Sequence, residues 1–149
     1  YGMVLPRFIA AAMAGQPLKV HGDGRQTRCF CYVEDTVEAL VRLHKSTKAS
    51  GEIFNVGSGG TYSINSLVEL LGGEVVHVPK RPGEPDCTFA DISKIRRVLG
   101  WEPEVSLKDG VARMLERLDD WKTAPVWTPK SIEQATKAWF DTLTPAARR

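Results

Sequence analysis

The stretch that decides the fold reads Val20-His21-Gly22-Asp23-Gly24-Arg25-Gln26-Thr27-Arg28-Cys29-Phe30-Cys31-Tyr32-Val33-Glu34-Asp35. The two glycines of Gly22-Asp23-Gly24 can adopt positive φ angles and so permit a tight reversal of the chain. Small and large side chains alternate over residues 27–33, which predicts a strand with Arg28 on the face opposite the thiols. Glu34-Asp35 offers an N-cap and a negatively charged first turn for a helix. We therefore predict a glycine turn, an arginine-bearing strand and a capped helix; a surface hairpin is the alternative for the turn and strand.

Composition and charge argue against several classes of protein. The 149 residues are 42% hydrophobic, which is enough for one globular core. With 20 basic and 18 acidic side chains, the net charge of +2 does not indicate a nucleic-acid or membrane-surface partner. No apolar run approaches the roughly 18 residues of a spanning helix. We expect a soluble, cytoplasmic protein and, because a helical pattern begins straight after Tyr1, a part of something longer.

The cysteines and histidines do not predict a metal site. Cys29 and Cys31 are two residues apart, which is not the C-x-x-C spacing of zinc ligands, and His21, His44 and His77 are isolated in the sequence. Free cysteines are commonly small packed side chains in a reducing compartment. We therefore expect buried thiols and no metal.

The rest of the chain alternates helical and extended patterns, which is typical of an α/β fold. The predicted helices begin near Val4, Glu34, Ser63, Asp91, Ser106 and Thr128. The predicted strands are residues 17–21, 27–33, 52–57 and 74–79, and residues 80–86 form a proline-stiffened loop. Val37, Leu40, Val41 and His44 form one face of the second helix, which we expect to be at least partly buried.

Two further predictions concern boundaries and turns. We expect residues 1–122 to form one segment, and residues 123–149 to be a linker and a C-terminal helix. The turn Gly57-Ser58-Gly59-Gly60 follows a predicted strand, but its spacing is not the G-x-G-x-x-G of a dinucleotide-binding loop. A tight turn between strand and helix is the favoured interpretation, and a dinucleotide loop is the alternative.

Arg28 and Arg81 are the two cations in unusual settings. Arg28 follows the glycine turn, and Arg81 lies in the proline-stiffened loop. Two guanidinium groups that converge on a diphosphate each form forked, charge-assisted hydrogen bonds that lysine does not match. Spacing alone leaves their convergence open.

Several motifs together resemble a known family. They are Pro6-Arg7-Phe8, Gly22-Asp23-Gly24-x-Gln26-Thr27-Arg28-x-Phe30-x-Tyr32-Val33-x-Asp35, Asn55-Val56-Gly57, Arg81-Pro82-Gly83-Glu84-Pro85-Asp86, Ala90-Asp91-x-Ser93-Lys94 and Leu99-Gly100-Trp101-x-Pro103. In this order they resemble the C-terminal half of an extended short-chain dehydrogenase/reductase. The similar members are NAD-dependent nucleotide-sugar epimerases, dehydratases and decarboxylases.

The resemblance implies a fold and a set of substrate-binding residues. The fold would be the sugar-nucleotide half of the enzyme, with a small mixed sheet, several helices and one strand–helix unit that completes a Rossmann sheet whose N-terminal cofactor half is missing. Arg28 and Arg81 match the positions that clamp the substrate diphosphate. Val20 and His21 match the segment that lines the nucleobase pocket, and Gln26 lies near the ribose and phosphates.

The resemblance also shows what this chain lacks. The family holds NAD on a G-x-x-G-x-x-G turn and uses a Tyr-x-x-x-Lys pair for acid–base chemistry. Neither motif occurs among these 149 residues. In particular, no tyrosine has a lysine four residues later. We expect NAD to serve the complete enzyme, and this chain alone to hold no NAD, to contribute no catalytic residue and to be inactive.

Two hypotheses of function follow. In the first, the chain is the substrate-binding part of such an enzyme and binds a UDP- or TDP-linked sugar. In the second, it is a non-catalytic module of the same fold that self-associates, as a dimer, or docks a partner, because a half-fold leaves strand edges and apolar faces uncovered.

Overall fold

The computed structural model describes residues 3–122, residue 130 and residues 133–137. Within residues 3–122 the elements are α1 (Val4–Met13), β1 (Leu18–His21), β2 (Thr27–Arg28), α2 (Val33–Lys45), a 3₁₀ turn (Thr47–Ala49), β3 (Tyr62–Ser63), α3 (Ile64–Leu71), β4 (Val75–Val78), α4 (Ser93–Leu99), α5 (Leu107–Glu116) and α6 (Leu118–Lys122). The chain divides into two units, Tyr1–Leu115 and Glu116–Arg149. Everything described below lies in the first unit unless stated otherwise.

Two small sheets organise the first unit. β1 and β4 pair in parallel, from Leu18 opposite Val75 to His21 opposite Val78. β2 and β3 pair antiparallel, with Arg28 opposite Tyr62. The predicted α/β fold, with a small amount of mixed sheet and several helices, is confirmed.

The hydrophobic interior forms two clusters. In the first, α1, β1, α3 and α5 contribute the buried side chains of Phe8, Leu18, Val20, Ile64, Leu67 and Val111. In the second, Ala39, Ile92 and Ile95 surround Trp101, which is 0% exposed. The indole N–H of Trp101 is buried and has no hydrogen-bond partner among the described residues.

Helix ends follow the predicted caps in two places and depart from them in a third. The Ser63 hydroxyl accepts the Ser66 N–H (3.0 Å) at the start of α3, and the Ser106 hydroxyl accepts the Asp109 N–H (3.1 Å) at the start of α5. α2, however, begins at Val33 without a side-chain cap.

Asp35 has a different role from the predicted cap of α2. It is buried, and its carboxylate accepts the N–H groups of Glu104 and Val105, both at 3.1 Å. The carboxylate therefore ties the first turn of α2 to the segment that precedes α5.

Two predicted strands are wrong within this chain. β2 comprises only Thr27–Arg28, since Cys29 turns toward Ser58 and α2 starts at Val33. Residues 52–56 have no ladder partner among the described residues, and Ile53 is 85% exposed. A strand exists only where a neighbouring strand pairs with it, and residues 3–122 supply none here.

The expected burial of the α2 face is also wrong. Val37, Leu40 and Val41 are 52%, 57% and 43% exposed, and His44 is exposed as well. The buried side of the helix is carried instead by Asp35 and Ala39. Helical spacing identified the apolar face, but no other described element covers it.

The C-terminal part is described only in short pieces. In the second unit, α6 carries an ion pair between Lys122 and Asp119 at 2.5 Å. Residues 133–137 are helical, while the predicted linker at 123–127 and the predicted helix start at Thr128 lie outside the described residues. Among the described residues, no helix combines the length and the apolar character needed to cross a membrane.

Candidate functional site

The loop between β1 and β2 is held from both sides by backbone hydrogen bonds. On one side, the Thr27 N–H donates to the carbonyl of Asp86 (2.8 Å), which belongs to the segment 79–86, called the 79–86 loop below. On the other side, the Asn65 N–H at the start of α3 donates to the carbonyl of Gly24 (3.0 Å). The glycine turn therefore brings β2 between α3 and the 79–86 loop.

Gly24 is the position where this turn requires glycine. Its φ angle is +74°, and a Cβ atom there would lie 1.9 Å from the side-chain oxygen of Asn65. The Asn65 amide nitrogen also donates to the carbonyl of Asp23 (3.1 Å). A side chain at this position would therefore displace the Asn65 side chain from its hydrogen bond with the turn.

Arg28 points from β2 to the 79–86 loop. Its Nη1 donates to the Thr27 carbonyl (2.8 Å), and its Nη2 donates to the carboxylate of Glu84 (2.7 Å). The two side chains of this ion pair are only 19% and 24% exposed. The guanidinium is therefore fixed in direction and partly shielded from solvent.

Arg81 lies in the same loop, and its side chain is half-buried. Within residues 3–122 it makes no hydrogen bond or ion pair through its guanidinium. The loop's other cation, Lys80, pairs with Asp86 (2.5 Å) at the surface. The hydrogen bond from Lys80 and the positive charge of Lys80 lower the pKa of Asp86. The same hydrogen bond and the negative charge of Asp86 raise the pKa of Lys80.

The structure brings Arg28 to the loop that carries Arg81, as a shared site requires. Glu84 bonds Arg28 through its side chain, and its N–H donates to the Arg81 carbonyl (3.3 Å). The two arginines are thus linked through a single residue.

Of the other three predicted site residues, His21 and Gln26 lie next to the 79–86 loop and Val20 lies in the core. His21 Nδ1 is 3.1 Å from the Pro79 carbonyl, and Gln26 Nε2 donates to the His21 carbonyl (2.8 Å). Val20 is 1% exposed and packs in the first hydrophobic cluster. The structure therefore leaves almost no accessible surface of Val20 for a ligand.

Sequence reasoning did not identify Glu84 or Asn65 as site residues. The loop's carboxylates were visible beside its cations, but the partner of Glu84 is 56 residues away in sequence, and no local pattern signals such a pair. Asn65 sits in an ordinary helical pattern, where nothing in the sequence indicates its contact with the glycine turn.

The turn 57–60 does not fit a dinucleotide pyrophosphate. Such a loop needs free N–H groups at the start of the following helix. Here the N–H groups of Ile64, Asn65 and Ser66 donate to protein oxygens at 3.1, 3.0 and 3.0 Å. A Cβ atom on Gly57 would lie 2.6 Å from the Cβ of Ala90, so this glycine serves internal packing.

The thiols have protein partners in two cases. The Cys29 sulfur accepts the Ser58 N–H (3.3 Å), and the Cys31 sulfur accepts the Thr36 hydroxyl (3.5 Å). Burial raises the pKa of Cys31, and the Thr36 hydrogen bond opposes this shift. Cys87 is exposed, so the expectation of a buried thiol is wrong there. Across the described residues, no three His, Cys, Asp or Glu side chains are grouped as metal ligands.

Known proteins are similar to this chain in both sequence and fold. The family profile described as GDP-mannose 4,6 dehydratase matches residues 2–114. UDP-glucuronic acid decarboxylase 6 from Arabidopsis thaliana is 40% identical over 121 residues, which are 77% of this chain and 35% of that protein. UDP-N-acetyl-alpha-D-glucosaminuronate decarboxylase from Bacillus cytotoxicus is 35% identical over 128 residues, covering 78% of this chain and 40% of that protein.

Solved structures of epimerases are similar to this chain in fold. An epimerase from Methanothermobacter thermautotrophicus superposes with a TM-score of 0.76 and 33% identity, over 82% of this chain and 39% of that one. UDP-glucuronic acid 4-epimerase from Bacillus cereus, in complex with UDP-glucuronic acid and NAD, superposes with a TM-score of 0.74 and 32% sequence identity. The match covers 80% of this chain and 40% of that one. The chain therefore spans about two fifths of the length of these proteins. Over that span it belongs to the NAD-dependent nucleotide-sugar epimerase/dehydratase family of extended short-chain dehydrogenases/reductases.

Proposed function

We propose that this chain is the substrate-binding part of an NAD-dependent nucleotide-sugar epimerase, dehydratase or decarboxylase. In this proposal Arg28 and Arg81 hold the diphosphate of a UDP- or TDP-linked sugar. The observation that carries it is the half-buried guanidinium of Arg28, which reaches the loop that bears Arg81.

The hydrogen-bonding capacity of the two arginines supports a diphosphate ligand. Arg28 uses two of its five N–H donors, on Thr27 and Glu84, so three remain. Arg81 has all of its donors left, judged over residues 3–122. Forked hydrogen bonds from both would neutralise two phosphate groups. His21 ends β1 and Gln26 lies on the loop that follows it, and the proposal places the base and the ribose there.

We infer that NAD is held by residues outside this chain. The Bacillus cereus relative binds NAD together with UDP-glucuronic acid, and this chain covers 40% of that relative. The turn 57–60 has its helix N–H groups already bonded, so it offers NAD no pyrophosphate site. Incubation of the chain with NAD and UDP-glucuronic acid should therefore yield neither NADH nor an altered sugar, and either product would contradict the inference.

The diphosphate assignment is tested by calorimetric titration of UDP into the full chain and its Arg28→Ala variant. We expect the variant to bind roughly ten- to a hundredfold more weakly, since each charge-assisted bond contributes about 1.5–3 kcal/mol. Arg25→Ala is the matched control, because Arg25 lies on the same turn but is 86% exposed and pairs only with Asp23. Equal affinity in wild type and Arg28→Ala, or equal losses in the two variants, would rule the assignment out.

A second candidate function is that of a docking or self-associating module. The observation that favours it is the uncovered apolar face of α2 beside residues 52–56. Val33, Val37, Leu40 and Val41 are 64%, 52%, 57% and 43% exposed on one helix. In the segment 52–56, Phe54 and Val56 are partly buried against the second cluster, whereas Ile53 between Glu52 and Phe54 is 85% exposed.

Two coverings of this face are possible, an NAD-binding half or a second copy of the chain. Sedimentation velocity over a range of concentrations distinguishes them. Self-association predicts a dimer that is lost in Leu40→Glu and kept in Lys48→Gln, which changes the net charge by the same amount outside the face. A wild-type monomer at all concentrations would leave the NAD-binding half as the occupant and exclude self-association.

A further inference from the structure

We propose that Glu84 competes with the substrate diphosphate for Arg28, and so sets the affinity of the site for diphosphate ligands. This inference rests on the proposed function of Arg28. It adds a residue whose carboxylate opposes binding, although it lies among the residues that would bind the substrate.

The Arg28–Glu84 ion pair differs from the other ion pairs of the described residues. Its side chains are 19% and 24% exposed, whereas the next least exposed pair, Arg42–Glu38, is 40% and 44% exposed. Screening by water and salt is weaker for shielded charges. Glu84 therefore neutralises Arg28 more effectively than a surface carboxylate would.

Charge balance around the site gives this pairing its effect. The glycine turn, β2 and the 79–86 loop together carry four cations. Three of them are paired: Arg25 with Asp23, Arg28 with Glu84 and Lys80 with Asp86. Arg81 is the remaining cation, and within residues 3–122 it has no carboxylate partner. A diphosphate that carries two negative charges thus meets a single unpaired guanidinium unless Glu84 gives up Arg28.

The geometry makes coexistence of both anions unfavourable. The Glu84 carboxylate lies 2.7 Å from Nη2 of Arg28. A phosphate oxygen bonded to the same guanidinium would sit a few ångströms from that carboxylate, and like charges at that range repel each other. Binding must therefore either exchange Glu84 for phosphate or carry the cost of the repulsion.

Glu84→Gln isolates the charge, because the amide oxygen can still accept from Arg28. We expect inorganic pyrophosphate to bind Glu84→Gln about three- to tenfold more tightly than wild type, as expected for releasing one partly shielded ion pair. Asp86→Asn is the matched control. It removes one charge from the same loop, but its carboxylate is 82% exposed and pairs with Lys80, so we expect less than a twofold change.

Pyrophosphate has no base or ribose, so the titration reports on the phosphate contacts alone. If Arg28→Ala loses binding while Glu84→Gln binds equally or more weakly than wild type, the competition is wrong and the clamp stands. If Arg28→Ala binds as well as wild type, or wild type itself does not bind pyrophosphate, then the clamp fails and the competition fails with it.

A second measurement tests the pair through stability. The coupling between Arg28→Ala and Glu84→Gln, obtained from urea unfolding of the two single variants and the double variant, should be present without ligand and vanish at saturating pyrophosphate. Coupling that persists undiminished at saturation would show that both anions share Arg28, and would overturn the exchange.

Discussion

At the scale of single residues, Gly24 shows why the loop cluster tolerates so little change. Alanine at this position meets both a positive φ angle of +74° and an oxygen atom 1.9 Å from its Cβ. We predict that Gly24→Ala lowers the free energy of unfolding by about 3 kcal/mol, of which 1–2 kcal/mol is backbone strain and the rest overpacking.

Alanine substitutions at two other glycines distinguish the backbone strain from the overpacking, with the free energy of unfolding measured in urea. Gly15 has a φ of +62° with nothing within 4 Å, and Gly60 has neither a positive φ nor a close neighbour. Gly15→Ala should cost only the backbone strain of about 1–2 kcal/mol, and Gly60→Ala should be close to neutral. Equal losses at Gly24 and Gly15 would contradict the packing of Asn65 on the turn.

Trp101 offers a test of how the second cluster is built. Its ring is fully buried, but its N–H is buried unpaired, which costs about 1–3 kcal/mol. Trp101→Phe removes that polar group and leaves a small cavity, so the two effects nearly cancel and unfolding should change by less than about 1 kcal/mol. Trp101→Ala should cost at least about 3–5 kcal/mol. A loss of that size in Trp101→Phe would show that the N–H is bonded.

At this scale, some of the residues that we propose for the site stand out in the sequence. Arg28 and the loop that carries Arg81 could be recognised because arginine after a glycine turn and arginine in a proline-stiffened loop are local patterns. The Arg28–Glu84 contact could not be predicted, since it joins residues 56 apart and depends on how the loop folds over β2. Val20 was placed correctly in its strand, but only the structure shows its side chain in the core.

At the scale of elements, the buried carboxylate of Asp35 couples α2 to the segment before α5. Asp35→Ala leaves the N–H groups of Glu104 and Val105 without their acceptor. We predict a loss of about 2–4 kcal/mol in the free energy of unfolding, because both hydrogen bonds go to a charged group. Glu34→Ala, on the same turn but exposed and paired with Arg113 at 3.2 Å, should cost less than about 1 kcal/mol. Similar losses in the two variants would contradict this coupling.

The start of α4 predicts a pH dependence. Hydrogen bonds from Ser93 lower the pKa of Asp91 in the folded chain. A lowered pKa stabilises the fold above the ordinary carboxyl pKa of about 4, and this contribution is lost as the pH falls through the folded value. Asp91→Asn should therefore show a smaller fall in urea midpoint between pH 6 and pH 3 than wild type. An equal fall in both proteins would contradict this role of Asp91.

Helices and strands were predicted well where neighbouring residues determine them, and poorly where they depend on contacts with residues distant in sequence. The cap of α3 by Ser63 and the strand at Leu18–His21 follow from neighbouring residues. The segment 52–56 has the composition of a strand but no ladder partner in the part of the chain that the structure describes, because strands depend on distant partners. Likewise, helical spacing identified the apolar face of α2 without showing that it is exposed.

At the scale of the whole molecule, the described part of the chain has an uncovered apolar face, formed by α2 and residues 52–56. The chain covers 35% of the Arabidopsis thaliana decarboxylase and 40% of the Bacillus cereus epimerase. The exposed α2 face and residues 52–56 are where we expect further protein to pack. We predict that Leu40→Gln and Ile53→Gln will lower the binding of a hydrophobic dye to the chain while leaving UDP affinity unchanged. A loss of UDP binding in these variants would show that the face belongs to the substrate site.

The central claim is that Arg28 and Arg81 converge on one diphosphate. The most direct test is the ratio of UDP affinity to uridine affinity, measured by calorimetry for wild type, Arg28→Ala, Arg81→Ala and the double variant. We predict that wild type prefers UDP, that each single variant loses most of that preference, and that the double variant loses less than the product of the two single losses, since both groups hold the same ligand. An unchanged ratio in either single variant would contradict the claim.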